Sequence, residues 1–548
     1  MSDPVTIDSI SPPPLPRNEA VRTYAPGSAE RIDLDAHLAA MSETAIDIPL
    51  VVGGRKLRTR AASRLVMPFE HGHTIATCAV AEPSHVRQAI RTATETQRDW
   101  SEWRFEDRAA VFLKAAELLS GTWRPIINAA TMLGQAKTVV QAEIDAACEL
   151  ADFWRFNVHF AADLYAEQPQ SAAGVWNRTD YRGLEGFVYA VSPFNFTAIA
   201  GNLPTVPAIM GGTSVWKPAS SALVSAHYIM QVLEAAGLPP GVINFVPGRA
   251  AEISETVFAS SDLAGVHFTG STAVFQGMWQ TVAANIGSYR SYPRLVGETG
   301  GKDFIVVHTS ADLDATAVAI VRGGFEYQGQ KCSAASRIYV PRSRWKALRE
   351  RVLAIMDDMT MGDVRDFSHF VSAVIDRPAF TRIRGALGYA KRTAKVWHGG
   401  GTNDRVGYFI EPTLVETDNP ASRLMRDEIF GPVVTVYVYP DASWSETLTL
   451  VDTTSPYALT GAVFAQDRPA IHHATRSLRH AAGNFYVNDK PTGAVVGQQP
   501  FGGGRASGTN DKAGSKLNLT RWVSARTIKE TFAPPTDYRY PAMSGGKS

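Results

Sequence analysis

The sequence predicts an α/β protein built on a doubly wound parallel sheet, with a second large α/β domain beside it. Three observations carry this. From residue 186 onward, short apolar runs of strand length alternate with stretches of helical periodicity. The 548 residues exceed what one ordinary core organises, and 45% hydrophobic against 20% charged residues is too apolar for a disordered chain. Strands and helices alternating at this spacing form right-handed βαβ units, which lay their strands parallel and make a nucleotide-binding candidate of the middle of the chain.

Taken in order, residues 1–30, with Pro12, Pro13, Pro14 and Pro16, read as an irregular arm that wraps or dangles. Asp3 and Asp8 lie there, with neither an apolar core nor an Arg-rich, acid-free stretch, so no targeting segment is expected. Helices are predicted over 83–100, from Val86, Ala89, Ile90 and Ala93, and over 106–120, from Val111, Phe112, Ala115, Leu118 and Leu119. Strands follow at 186–191 and 214–216. A helix with Leu223, Ala226, Met230 and Leu233 on one face is expected to start at Ser220 or Ser221 as N-cap and to stop at Gly237-Leu238-Pro239-Pro240. Two more strands are read at 242–246 and 264–268, and a helix from Thr272. A further α/β segment runs over 297–502, and the glycine-rich stretch 502–508 separates it from the tail.

Composition excludes several functions. A net charge of +1 provides no field for nucleic acid, and no run of about 18 apolar residues suggests a membrane span. Three scattered cysteines, Cys78, Cys148 and Cys332, form no disulfide framework or metal motif, which implies a reducing compartment, read as the cytoplasm. The pairs His71/His73 and His472/His473 lack a further ligand at suitable spacing, so no metal is expected.

A GxGxxG fingerprint is missing after the first strand of the doubly wound segment. In Phe268-Thr269-Gly270-Ser271 a strand ends where a helix begins, and free N–H groups at a helix start suit a pyrophosphate. The same tetrapeptide is also common turn chemistry, so alone it leaves the cofactor open.

Five segments in order change the weighing: Pro193-Phe194-Asn195-Phe196, Trp216-Lys217-Pro218, Glu298-Thr299-Gly300-Gly301-Lys302, Gly329-Gln330-Lys331-Cys332-Ser333 and Glu428-Ile429-Phe430-Gly431-Pro432. At these spacings the chain, from about residue 50 onward, resembles the aldehyde dehydrogenase superfamily. Asp303-Phe304 after Lys302, Gly497-Gln498-Gln499-Pro500-Phe501-Gly502-Gly503 and Ala506-Ser507-Gly508-Thr509-Asn510-Asp511 are similar to its pyrroline-5-carboxylate (glutamate semialdehyde) branch.

The resemblance implies NAD(P)+-dependent oxidation of an aldehyde, in this branch glutamate γ-semialdehyde to glutamate, the second step of proline catabolism. Cys332 would be the nucleophile, with Lys331 beside it able to favour the thiolate; the alternative is a buried inert cysteine, the reading given to Cys78 and Cys148. Asn195 would hold the oxyanion together with the Cys332 N–H, where an Asx-turn is the plainer role. Glu298 would be the base that hydrolyses the thioester, against a surface ion pair. For the cofactor, Lys217, Gly270, Ser271, Glu428 and Phe430 would contact NAD+. Ser220 stands where many NAD-selective relatives carry a glutamate that repels a 2′-phosphate, so NADP+ use stays open.

For the substrate, Ser333 and the N–H groups of Gly493 and Ala494 would hold the carboxylate, and Phe196 and Phe501 the aliphatic linker, with Glu149 and Lys331 also at that site. Gly493 either lets the backbone approach a ligand or serves a turn after Pro491. The resemblance divides the chain into an arm and NAD-binding domain over 1–296, interrupted near 168–182, a catalytic domain over 297–505, and a tail over 506–548. Residues 168–182 and the tail after about 515 would form an oligomerisation flap, so at least a homodimer is expected. A broad-range aldehyde dehydrogenase, a CoA-acylating enzyme and a non-catalytic scaffold are the alternatives. Glu298 argues against CoA acylation. No proline dehydrogenase module is visible, so a separate upstream enzyme would supply the substrate.

Overall fold

A computed structural model describes residues 11–543. Residues 1–10 of the expected arm lie outside these. The arm from 11 to 28 is irregular, as read, but residues 29 and 30 already belong to the helix Ala29–Glu43, whose N-cap Ser28 accepts from Arg31 N–H. The arm wraps: Arg22 N–H and the Tyr24 hydroxyl each donate to Glu143 at 2.8 Å.

The helices Pro83–Glu102 and Phe105–Ser120 bury the stripes that predict them, Leu118 only in part. The helix Leu223–Ala236 departs from expectation at its start. Its N-cap is Ala222, without a side-chain hydrogen bond, because a turn closed by Ala222 N–H on the Ala219 carbonyl delays the first helical turn past both serines. Its end is as expected: Gly237, at φ +96°, turns the chain while Leu238 N–H reaches back to the Leu233 carbonyl at 3.0 Å.

Two seven-stranded sheets dominate. Across the first, the order is Arg294–Glu298, Leu263–Thr269, Phe187–Val191, Thr213–Lys217, Ile243–Phe245, Leu50–Val52 and Arg55–Leu57. The first five are parallel; Leu50–Val52 runs antiparallel to them, and Arg55–Leu57, antiparallel to Leu50–Val52, returns to their direction. Chain order reverses between Phe187–Val191 and Leu263–Thr269, and a doubly wound sheet opens its ligand crevice beyond the carboxyl ends at such a switch point.

The second sheet runs Lys395–His398, Thr413–Thr417, Val433–Tyr439, Ala335–Pro341, Asp303–Val307, Thr460–Phe464 and Asn484–Val487, with only the first strand antiparallel. Phe304, Ile305, Val306 and Val307 are all buried, as both faces of a helix-covered parallel strand demand. The chain leaves the first sheet at Glu298 and enters the second at Asp303, so carboxyl ends of the one adjoin amino ends of the other. Apart from both, Val175–Gly183 and Val523–Thr531 pair antiparallel as a two-stranded ribbon.

Candidate active site

Four strands of the first sheet deliver residues to its carboxyl edge. Asn195 follows Phe187–Val191, Lys217 ends Thr213–Lys217, Gly270 follows Leu263–Thr269 and Glu298 ends Arg294–Glu298. Beside this edge lies a cavity of about 260 Å³. Cys332, Glu298, Ser333, Gly493, Ala494, Phe196, Phe501, Glu149 and Lys331 all line it; Asn195, Lys217, Ser220, Gly270, Ser271, Glu428 and Phe430 lie outside its lining.

Cys332 is delivered by an unusual turn. Tyr327, Gln328 and Gly329 in succession take φ of 52°, 56° and 64°, a left-handed path that costs a non-glycine residue about 1–2 kcal/mol. Burial and hydrogen bonds hold it: Tyr327 hydroxyl to Gln135 carbonyl at 2.9 Å, and Gln328 Nε2 to the Ala373 carbonyl at 2.7 Å. Burial pushes the Cys332 thiol well above its ordinary range, and the carboxylates of Asp303, Glu428 and Glu298 push the same way. Lys331, the neighbour in sequence, is engaged elsewhere. Its Nζ pairs with Glu326 at 3.0 Å, and Glu326 also takes Arg322 at 2.8 Å.

Glu298 Oε2 accepts from Gly503 N–H at 3.2 Å. Burial raises its carboxyl well above the usual range, Asp511 adds to the shift, and the Gly503 hydrogen bond and Lys512 oppose it. Asn195 donates one amide hydrogen to the Gln330 carbonyl at 3.0 Å, which ties it to the loop carrying the thiol. A primary amide has a second N–H to offer.

Around the rest of the cavity, Ser333 Oγ and Thr492 Oγ1 lie 2.8 Å apart. Gly493 follows at φ +91°, so its glycine serves a turn at the same place where it lines the cavity. The Phe501 backbone is fixed by paired hydrogen bonds with Ala513, at 2.9 and 2.8 Å.

Sequence reasoning missed Lys137, Asp145 and Thr492, all on the cavity wall. Lys137 Nζ and Asp145 Oδ2 form a buried ion pair at 2.6 Å, and Asp145 also accepts from Thr197 and Ala198 N–H at the start of the helix Thr197–Ile209. Lys137 sits 4.4 Å from the Phe196 ring centre. The available signal was a run of charge, Lys137, Glu143, Asp145, Glu149 and Asp152, inside an apolar stretch. Apart from Glu149 it went unread because Glu143–Glu149 forms a π-helix, whose wider turn breaks the ordinary helical spacing. Burial raises Glu149, at the end of that turn, to about 8, with Asp145 adding and Lys137 opposing.

On the cofactor side, burial lowers Lys217 to about 8, with no compensating carboxylate among the described residues. Ser271 caps Thr272–Ala284, its Oγ accepting from Val274 N–H at 3.4 Å, and Gly270 N–H donates to the Glu298 carbonyl at 3.2 Å. Ser220 is exposed. Glu428 Oε1 accepts from Gly301 N–H at 2.9 Å, and a Cβ at Gly300 would fall 2.5 Å from its Oε2. Phe430, at φ 54°, meets the Phe194 ring edge-on at 5.8 Å. A buried, uncompensated ammonium at the end of a parallel strand and a helix start at the next switch-point strand fit the hydroxyls and phosphates of a dinucleotide.

The family described as the aldehyde dehydrogenase family matches residues 58–528. The chain is 50% identical over 535 residues to the mitochondrial delta-1-pyrroline-5-carboxylate dehydrogenase of Dictyostelium discoideum, covering 97% of this chain and 96% of that one. It is likewise 50% identical over 529 residues to that of Bos taurus, covering 96% and 94%. A solved structure of the Mycobacterium tuberculosis delta-pyrroline-5-carboxylate dehydrogenase bound with NAD superposes with a TM-score of 0.95 at 52% identity, over 98% of this chain and 100% of that one.

Proposed function

The chain belongs to the aldehyde dehydrogenase family, and from that premise we propose that it oxidises L-glutamate γ-semialdehyde, the open form of 1-pyrroline-5-carboxylate, to L-glutamate with NAD+. The observation that carries the reading is that Cys332, Glu298 and Ser333 face one cavity together with Gly493 and Ala494.

In this reading the Cys332 sulfur, as thiolate, attacks the aldehyde carbon, and the Asn195 amide and the Cys332 N–H steady the resulting oxyanion. Lys217, Ser271 and Glu428 would hold NAD+, which when bound would accept the hydride; the relative from Mycobacterium tuberculosis is described as bound with NAD. The oxidised carbon is left as a thioester on Cys332. Glu298 then takes a proton from water, the hydroxide adds, the C–S bond breaks, and glutamate leaves as the thiolate is restored. Ser333, Gly493 and Ala494 hold the α-carboxylate, and Phe196 and Phe501 flank the linker. Of the acidic groups on the cavity wall, Asp145 pairs with Lys137 and Glu326 with Lys331, and Glu149 is the one assigned to the α-ammonium in this reading.

NAD+ reduction with pyrroline-5-carboxylate against a panel of uncharged aldehydes tests the reading. Equal kcat/KM across the panel would favour a broad-range enzyme, and a requirement for CoA an acylating one.

The proposal extends to assembly and setting. Domains over 1–296 and 297–505 would meet at the cleft, and the ribbon of Val175–Gly183 with Val523–Thr531, too slight to be stable alone, would reach a second subunit of a homodimer. Light scattering that finds a monomer at micromolar concentration would sink that part. All three cysteines are free, which suits a reducing compartment such as the cytoplasm; several relatives are named mitochondrial, and cell fractionation decides between the two. Among the described residues, no helix is long and apolar enough to cross a membrane. Pyrroline-5-carboxylate would come from a proline-oxidising activity.

A further inference from the structure

The N-terminal arm reaches the cavity. Val21 is among the residues that line it and is 51% exposed, which puts it at the mouth. On one side of Val21 the arm is bound to the π-helix and the helix after it. Arg22 N–H and the Tyr24 hydroxyl donate to Glu143, Glu19 N–H donates to Asp152 Oδ1 at 2.7 Å, and the Glu19 carboxylate takes Arg124 at 2.8 Å and Arg155 at 2.7 Å. That π-helix carries Asp145 and Glu149 to the cavity wall.

On the other side stands the loop from Gly493 to Gln499. Its shape is set internally: Gln498 and Gln499 N–H both donate to the Val495 carbonyl, and Val495 N–H donates to Gln499 Oε1. A shape closed on itself still has to be held at one distance from the opposite wall. Asn18 does so. Its Nδ2 donates both to Asp152 Oδ2 and to the Val496 carbonyl, each at 2.9 Å, and its Oδ1 accepts from Gln498 Nε2 at 2.8 Å. One side chain, in the middle of a segment without regular structure, thus spans the two walls.

We infer that the arm is a built part of the substrate pocket, and that Asn18 is a positioning residue that sets where Gly493 and Ala494 present their N–H groups to the substrate's carboxylate. Groups that recognise a ligand must be held to within about half an ångström, so releasing the loop weakens the charged end while the reacting end keeps its geometry. The inference rests on the glutamate semialdehyde reading of the cavity.

Steady-state kinetics of the full chain with Asn18→Ala and Gln498→Ala, on glutamate semialdehyde and on propanal, test it. Asn18→Ala loses the whole bridge and should raise KM for glutamate semialdehyde about tenfold; Gln498→Ala loses one strut and should raise it about threefold. KM for propanal and for NAD+ should stay within about twofold, since neither depends on the carboxylate contact. Wild-type protein inactive on glutamate semialdehyde would overturn the functional reading. Active wild type with unchanged KM in both variants, or with equal losses on both aldehydes, would overturn the role of the arm. Gln498 is exposed, so its variant keeps the test alive if Asn18→Ala folds poorly.

Discussion

The hydroxyls of Ser333 and Thr492 lie 2.8 Å apart on the cavity wall, one residue after Cys332 and one before Gly493. Each can orient the other toward a carboxylate held between these two loops.

Ser333→Ala is therefore expected to cost one hydrogen bond to a charged group, roughly 1.5–3 kcal/mol. At about 1.4 kcal/mol per tenfold, kcat/KM for glutamate semialdehyde should fall roughly 10- to 150-fold while propanal barely changes. Thr492→Val should follow the same pattern. Equal losses on both aldehydes would mean that the serine supports Cys332 instead.

Cys332→Ala should abolish turnover and leave NAD+ affinity near that of the wild type, measured by fluorescence titration. The residues assigned to the cofactor lie outside the lining of the cavity that holds the thiol. Residual turnover would show that another group bears the covalent step.

Glu298→Gln separates the two half-reactions. Burial raises both the Glu298 carboxyl and the Cys332 thiol, and both act deprotonated, so activity should rise with pH along a limb above the ordinary carboxylate range. The variant should keep a pre-steady-state burst of NADH while its steady-state rate falls, and its deacylation should lose the limb owed to the glutamate. Full steady-state activity would remove Glu298 from the mechanism.

Ser220→Glu would place a carboxylate three residues after Lys217, on the side expected to hold the adenine ribose. It should lower the NADP+ to NAD+ ratio of kcat/KM by about tenfold or more through like-charge repulsion. An unchanged ratio would place the 2′-hydroxyl elsewhere.

Arg124→Met tests the anchor beneath the arm. Arg124 and Glu143 are 1% and 0% exposed, and removal of one partner leaves a buried charge alone, which costs about 3–5 kcal/mol. Thermal unfolding should begin at a clearly lower temperature. Double replacement of the pair by apolar residues should recover part of the loss.

Local chemistry was legible in the sequence wherever one short segment carries both its geometry and its role. Apolar spacing marked the helices Pro83–Glu102 and Phe105–Ser120, strand–helix alternation marked the doubly wound sheet, and the segments around Glu298 and Cys332 marked two residues that the fold brings to one cavity. Relations between distant segments were not legible, because they depend on which side chains share a buried space. Lys331 stands beside Cys332 in the chain, yet its charge is taken by Glu326. Ala222 replaces either serine as a cap because a turn upstream consumes them. Lys137 and Asp145 drew no notice as residues but form a buried pair on the cavity wall. Asn18 sits in a stretch whose composition predicts no structure, and it reaches Val496 across 478 positions. A hydrogen bond has meaning in a sequence only when its partner is near in the chain; when folding supplies the partner, only the tertiary structure decides.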